Sequence, residues 1–299
     1  MKPRTVASLM VLLLAGPMAG VSPAAQPTLR FGVASVYNPR LMFLKYQPLV
    51  DYLTSSTGKP WDLVVVSSYE RLVQDLCSGR LTTAYLGPFA YVRAQATCKA
   101  LPVVMLTTGG NPTYRGLIMV RADSKLKSLS DLAGKRFGFG APMSTASHLV
   151  ARAMLEDAGL HPGVDIACRH YMHHEEAARA VLVGEVDACG VRDIVGEKFT
   201  ERSLRVLARS EEIPNFLFAL APGSDPALRE ELSRVLVVLP GQDPRTAATI
   251  QSWDEELSGG FVPASDGEYD PVRKLAVRLF GRLALTCPES KLECPPGRR

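Results

Sequence analysis

The chain has 299 residues, of which 46% are hydrophobic and 21% charged, and its formal net charge at neutral pH is +4. This composition is typical of a soluble globular protein, and the length suffices for one large or two medium-sized domains with buried cores. The 34 basic and 30 acidic residues nearly balance, which argues against nucleic-acid binding, because that function needs a clustered basic face.

Residues 1–25 predict a secretory signal peptide. Lys2 and Arg4 precede an apolar run over residues 6–16, and small residues follow as far as Ala25, which is the order of a cleavable export signal. The apolar run is shorter than the roughly 20 residues that a transmembrane helix needs. We expect cleavage near Ala24 or Ala25 and a mature protein free in the periplasm, since the segment has no Cys for a lipid anchor.

Strands alternate with helices along the chain in two successive runs. The first run predicts strands at 29–35, 61–68, 82–87 and 101–108 and helices at 42–55, 69–76 and 88–96. The second run predicts strands at 135–141, 165–172 and 186–191 and helices at 145–158 and 175–183. Such alternation implies parallel sheets with helices on both faces, and two runs imply two α/β lobes.

Two segments are expected to carry the chain between the lobes. A turn-rich stretch after residue 108 leads into a strand at 116–120, and a second crossing is placed at 213–226. Helices at 227–236 and 270–283 would then pack back on the first lobe. The predicted division is 26–112 with 220–299 for lobe 1 and 113–219 for lobe 2.

The six cysteines of an exported chain suggest disulfides, because the periplasm is oxidising. Cys287 and Cys294 would close a short loop at small entropic cost, and we predict that they pair. Cys77 and Cys98 each follow a predicted helix and could meet at one end of a sheet.

The remaining cysteines, Cys168 and Cys189, lie in predicted strands and could equally be buried thiols. No metal or cofactor is expected. The chain has no CxxC motif, and the one HxxxH spacing, His170 to His174, runs off a strand end, where it does not place both rings on one helical face.

The stretch GFGAPMSTASHLV places hydroxyl groups where a strand hands over to a helix. The strand ends at Gly140, and Ser144, Thr145 and Ser147 fall in the first helical turn. A helix start presents unpaired amides with partial positive charge, so it can hold an oxyanion, and hydroxyls add donors. One of these hydroxyls could simply cap the helix, but a cap needs only one. Ligands of open α/β sheets bind at the carboxyl ends of strands, where this turn lies.

Other strand ends should contribute to the same cleft. The candidates are Tyr69, Gly87, Tyr91, Tyr114-Arg115, His173-His174 and the stretch from Asp187 to Asp193. Each also has an ordinary structural interpretation. Gly87 can start a helix that has Pro88 in its first position, Tyr91 can be a core aromatic, Asp193 can be a helix cap, and the two histidines can be solvent-exposed.

Four stretches in order resemble the phosphate/phosphite/phosphonate solute-binding proteins of ABC importers: residues 44–94, 128–149, 174–191 and 259–273. The resemblance covers residues 29–283. It implies the two-lobed periplasmic binding-protein fold, type II-like, with two crossings at a hinge and the ligand enclosed between the lobes. It also implies a monomer that delivers its ligand to ABC permease subunits in the inner membrane. In this family neutral donors hold the anion: a Ser-Thr-Ser helix start, a His and Tyr hydroxyls.

The resemblance assigns ligand-binding roles to Ser144, Thr145, His174, Tyr69 and Tyr114. Ala146 stands at the usual third hydroxyl, so one donor is lost unless its backbone N–H or Ser147 compensates. Thr83 replaces a usual acidic residue, so no residue is assigned to a ligand amine. Gly87 and Asp193 complete the predicted site.

We therefore expect a binding protein without enzymatic activity that captures a phosphorus oxyanion, with phosphonate, phosphite and phosphate left open. Two alternatives remain. One is a ligand-sensing module that reports to a membrane receptor. The other is an enzyme on the same scaffold with His174 as a base, although the sequence has no G-x-S-x-G elbow.

Overall fold

The computed structural model describes residues 27–35, 38–201, 203–237 and 250–294. The predicted signal peptide, 1–25, lies outside the described residues. In the described part of the chain, no helix combines the length and the apolarity that crossing a bilayer requires.

The observed elements follow the predicted order closely. The strands are β1 (Leu29–Ala34), β2 (Trp61–Val66), β3 (Thr83–Leu86), β4 (Leu101–Leu106), β5 (Thr113–Arg121), β6 (Arg136–Phe139), β7 (Ala167–His170), β8 (Ala188–Arg192), β9 (Leu204–Pro214), β10 (Leu217–Leu220) and β11 (Phe261–Pro263). The helices are α1 (Pro39–Thr57), α2 (Tyr69–Cys77), α3 (Pro88–Cys98), α4 (Ala151–Asp157), α5 (His174–Leu182), α6 (Asp193–Thr200), α7 (Pro226–Val237) and α8 (Asp270–Phe280). A π-helical segment, Thr145–Val150, leads directly into α4.

The strands form two mixed sheets, ordered β11-β4-β10-β3-β1-β2 and β7-β6-β8-β5-β9. The prediction of parallel pairing is correct for β1 with β2 and β3, and for β6 with β7 and β8. It is wrong for β4, which pairs antiparallel with β10 and β11, and the crossing strands β5 and β10 also pair antiparallel with their neighbours. Strands β5 and β10 start at the crossings, whereas the parallel strands end at that edge, so the two sets run in opposite directions.

The chain passes from the first sheet to the second between β4 and β5 and returns between β9 and β10. From the sheet to which each strand belongs, we propose the predicted division into two lobes with one change. Lobe 1 resumes near residue 217 and not at 220, because Leu217 already pairs with the first sheet. Strands β9, β10 and β11 and helix α6 were not predicted. All four lie after β8, the last strand that the alternating pattern predicts.

Buried apolar clusters cover both faces of each sheet, and one cluster joins the two lobes. It packs Leu149 and Val150 of the second lobe with Phe89 and Tyr269 of the first. The π-helical segment is therefore held between the lobes.

Two disulfides are present, Cys77–Cys98 and Cys168–Cys294, with Cα–Cα distances of 5.5 and 6.3 Å. The prediction that Cys287 pairs with Cys294 is wrong, because Cys287 carries a free thiol. Its backbone carbonyl accepts a hydrogen bond from the Arg93 guanidinium of α3, which holds it on the first lobe while the chain continues to β7. The Cys168–Cys294 bond thus ties the C-terminal segment to the second lobe.

Candidate ligand-binding site

A cavity of about 80 Å³ lies between the lobes. The first lobe supplies Ala34, Tyr46, Tyr69, Tyr85 and Glu256, and the connection between β9 and β10 supplies Phe216. The second lobe supplies Ala141, Ser144, Met172, His173, His174, Glu175, Arg192 and Val195. A single buried water needs only about 10–15 Å³ on this measure, so the cavity has room for a small solute.

Carboxyl ends of parallel strands build most of this cavity. Ala34 ends β1, Tyr69 begins the helix after β2, Ala141 and Ser144 follow β6, and Arg192 ends β8. Strands of one direction bring their ends to one edge of each sheet, and both edges face the same cleft.

Glycines allow the π-helical segment to sit tightly against the second sheet. A Cβ at Gly140 would lie 2.5 Å from the Ser147 hydroxyl oxygen, and a Cβ at Gly190 would lie 2.9 Å from the Ser147 carbonyl oxygen. Ser144 caps the segment, because its Oγ accepts a hydrogen bond from the Ser147 amide at 3.3 Å. The residue that caps the segment is thus also the one that faces the cavity.

His174 is fixed in one protonation state beside Ser144. Its Nδ1 accepts a hydrogen bond from the Arg192 amide at 3.1 Å, and its Nε2 lies 2.9 Å from Ser144 Oγ. Burial, with the nearby Arg192 charge, lowers the pKa of His174 to about 3, so the ring is neutral at physiological pH. Since Nδ1 accepts, the ring proton is on Nε2 and is donated to Ser144.

Ser144 is consequently oriented as a donor toward the cavity. Its oxygen already accepts hydrogen bonds from His174 Nε2 and from the Ser147 amide. The hydroxyl proton is left for a third partner, and Ser144 lines the cavity. Tyr69 is a second hydroxyl there, and burial, with the charge of Glu256, raises its pKa to about 12, which keeps it protonated.

Arg192 lines the cavity, although sequence reasoning included it only within the candidate stretch from Asp187 to Asp193 and gave it no role of its own. Its side chain is 4% exposed, and its guanidinium carbon lies 4.7 Å from the Tyr114 ring centre and 4.8 Å from that of Phe216. Its Nη1 lies 2.9 Å from Glu256 Oε2, which also accepts a hydrogen bond from the Tyr85 hydroxyl at 2.9 Å. The expectation of neutral donors is therefore incomplete, because a cation and the carboxylates of Glu175 and Glu256 line the cavity.

Several predicted site residues make structural contacts outside the cavity lining. Thr145 Oγ1 accepts a hydrogen bond from the Phe89 amide at 2.9 Å and so joins the lobes. The Ser147 hydroxyl donates to the Gly190 carbonyl at 2.5 Å. The Asp193 carboxylate accepts from the Arg115 and Ile194 amides.

Four other predicted residues do not line the cavity. Gly87 caps α3 against Phe216, whose ring would lie 3.1 Å from a Cβ at that position. Tyr114 is buried beneath Arg192, and its hydroxyl has no hydrogen-bond partner among the described residues. Ala146 is buried at the start of the π-helical segment. Tyr91 is a core aromatic whose hydroxyl donates to Asp266 at 2.9 Å.

The two rings of the HxxxH spacing have separate hydrogen-bond partners. His170 bonds the Gly140 carbonyl through Nδ1 and the Cys294 amide through Nε2, whereas His174 bonds Arg192 and Ser144. Within the described ranges, no group of His, Cys, Asp and Glu is arranged to hold a metal ion.

Comparison with known proteins gives consistent matches. The family model described as the periplasmic substrate-binding protein of a phosphonate ABC transporter matches residues 31–269. The phosphate-import protein PhnD of Mycolicibacterium smegmatis is 29% identical over 259 residues, which cover 76% of this chain and 78% of that protein.

Two solved structures share the fold. The methylphosphonate complex of PhnD1 from Prochlorococcus marinus has a TM-score of 0.76 at 16% identity, over 85% of this chain and 98% of that one. The binding-protein component of an ABC phosphonate transporter from Pseudomonas aeruginosa has a TM-score of 0.74 at 21% identity, over 87% and 88% of the two chains.

Proposed function

Because this chain belongs to the family of periplasmic substrate-binding proteins of phosphonate ABC transporters, we propose that its interlobe cavity captures a small phosphorus oxyanion for import. The observation that carries the proposal is the Ser144 hydroxyl, which two hydrogen bonds at its oxygen leave free to donate into the cavity. Relatives named for phosphate import and for methylphosphonate binding support the same ligand class.

The anion would be held by groups at the start of the π-helical segment. Ser144 donates its hydroxyl from the cavity lining, and the amides of Thr145 and Ala146 lie directly behind it at the start of the segment, where a helix cannot use its own first amides. Tyr69 adds a hydroxyl from the facing lobe, and His174 fixes the Ser144 proton. Hydrogen bonds to a charged ligand contribute about 1.5–3 kcal/mol each, so a few suffice for useful affinity.

Capture would proceed by closure of the lobes without covalent chemistry. The lobes touch around the cavity through the Phe89 amide with Thr145 and through Glu256 with Arg192. A ligand that contacts both lobes stabilises the closed form by its higher affinity for that form. We propose that the protein acts as a periplasmic monomer and that its closed form docks on the permease subunits.

A thermal-shift screen of oxyanions tests this function. Phosphate, phosphite and methylphosphonate are compared with chloride at equal ionic strength, because a ligand at 100 times its dissociation constant stabilises the folded form by about 2.7 kcal/mol. We expect at least one phosphorus oxyanion to raise the melting temperature of the wild type. The exposed Ser130→Ala variant should keep that shift. A screen in which no phosphorus oxyanion stabilises the protein would refute the proposed function.

A further inference from the structure

A buried cation lines the proposed ligand cavity. The Arg192 side chain is 4% exposed, lies in the cavity lining with Ser144 and His174, and is placed by the rings of Tyr114 and Phe216. Cation–π contacts with two aromatic rings stabilise a guanidinium and fix its orientation.

This guanidinium has unused hydrogen-bonding capacity. Its Nε and Nη1 atoms are buried, and neither has a partner in hydrogen-bond geometry among the described residues. The nearest carboxylates are Asp193, 4.0 Å from Nε, and Glu256, 2.9 Å from Nη1 in a direction unsuited to a hydrogen bond. Buried donors without partners cost free energy, which a bound acceptor would recover.

Glu256, in contrast, already has partners for its carboxylate. Its Oε2 accepts a hydrogen bond from Tyr85 and is paired with the Arg192 charge. An ammonium group beside Glu256 Oε2 would lie close to the Arg192 guanidinium, whose Nη1 is 2.9 Å from that oxygen. The Arg192 guanidinium therefore offers a ligand free hydrogen-bond donors, whereas the Glu256 carboxylate mainly positions that guanidinium.

We propose that Arg192 is a specificity-determining residue that selects compact phosphorus oxyanions without an ammonium group and disfavours aminoalkyl phosphonates. This inference rests on the proposed function. Arg192 donates to an oxygen of the anion, while its positive charge repels a ligand amine at short range. Glu256 and Tyr85 are positioning residues for the guanidinium.

Calorimetry with methylphosphonate and aminomethylphosphonate tests the inference, because the two ligands differ by one amine. We expect the wild type to bind methylphosphonate at least about tenfold more tightly, and Arg192→Gln to weaken methylphosphonate binding about tenfold while removing most of that preference. The exposed Arg169→Gln, which breaks a surface pair with Glu185, is the matched control and should keep both affinities.

Removal of Arg192 alone leaves Glu256 unpaired, so the Arg192→Gln/Glu256→Gln double variant is measured beside it, with a melting curve for each protein. The same loss of preference is expected in the double variant. Equal binding of the two ligands by the wild type, tighter binding of the amine, or an unchanged ratio in a folded Arg192 variant would overturn the inference. If the inference failed in this way but a Ser144→Ala variant still bound both ligands more weakly than the wild type, the proposed function would stand without the inference. If the wild type bound neither ligand, both the inference and the proposed function would be overturned.

Discussion

His174 Nε2 and Ser144 Oγ lie 2.9 Å apart, and this contact joins the beginnings of two helical segments that follow different strands of the second sheet. The other ring nitrogen, Nδ1, accepts a hydrogen bond from the Arg192 amide. The directions of the hydrogen bonds from Arg192 through His174 to Ser144 are therefore set. The backbone of β8 thereby determines that Ser144 presents a proton to the cavity.

Removal of the Ser144 hydroxyl should weaken oxyanion binding. Ser144→Ala loses one charge-assisted hydrogen bond, and we expect the dissociation constant to rise at least about tenfold in calorimetry. The Ser130→Ala variant is the matched control. An unchanged dissociation constant in a folded Ser144→Ala protein would contradict the role given to this residue.

The neutral state of His174 can be observed directly. With a pKa lowered to about 3 by burial and by Arg192, the ring should keep its Nε2–H tautomer between pH 5 and pH 8. Nitrogen-15 chemical shifts of the histidine rings report this state. A titration of His174 with a midpoint near its ordinary value of 6.5 would show that Nδ1 gains a proton, and Nδ1 could then no longer accept the hydrogen bond from the Arg192 amide.

His148 should make the stability of the protein fall in acid. Burial lowers its pKa from 6.5 to about 3, so below pH 6.5 the unfolded chain binds a proton that the folded chain does not. The stabilisation is complete above pH 6.5 and is lost as the pH falls toward 3. For this residue the loss between pH 7 and pH 5 is about 2 kcal/mol.

Urea unfolding of the wild type and of His148→Asn at both pH values measures this loss. Asparagine can still donate to the Pro142 carbonyl, which His148 Nδ1 contacts at 2.6 Å, but it does not titrate. The variant should lose about 2 kcal/mol less than the wild type on acidification. Equal losses in the two proteins would assign the acid sensitivity to other groups.

Peptide mapping without reduction should recover Cys77 linked to Cys98 and Cys168 linked to Cys294, with Cys287 open to alkylation once the protein is unfolded. The Cys168→Ser/Cys294→Ser variant should lose about 2–4 kcal/mol of stability, because the bond closes a long loop. A linked Cys287–Cys294 peptide would contradict this pairing.

The sequence carries much of the fold but only part of the site. Alternating strands and helices identify both lobes, and GFGAPMST identifies Ser144, because a strand end followed by a hydroxyl and a helix is a local pattern. Arg192 and Glu256 are 64 positions apart in the numbering and meet only through the lobe contact. No local sequence pattern predicts such a pair. The one local signal for Arg192 is that a charged residue ends the apolar run ACGVR.

The pairing of the cysteines shows the same limit. Short separation favoured Cys287 with Cys294, but the path of the C-terminal segment decides the partner. That path depends on Arg93 holding the Cys287 backbone on α3, and on His170 accepting the Cys294 amide beside β7. Both contacts are long-range in sequence.

A crystal structure of the protein with methylphosphonate tests the central claim most directly. We predict a tetrahedral anion in the interlobe cavity, with one oxygen within hydrogen-bond distance of Ser144 Oγ and others facing the amides of Thr145 and Ala146 and the Arg192 guanidinium. A ligand bound elsewhere, or a closed cavity that keeps only water beside Ser144 at saturating ligand, would contradict the account.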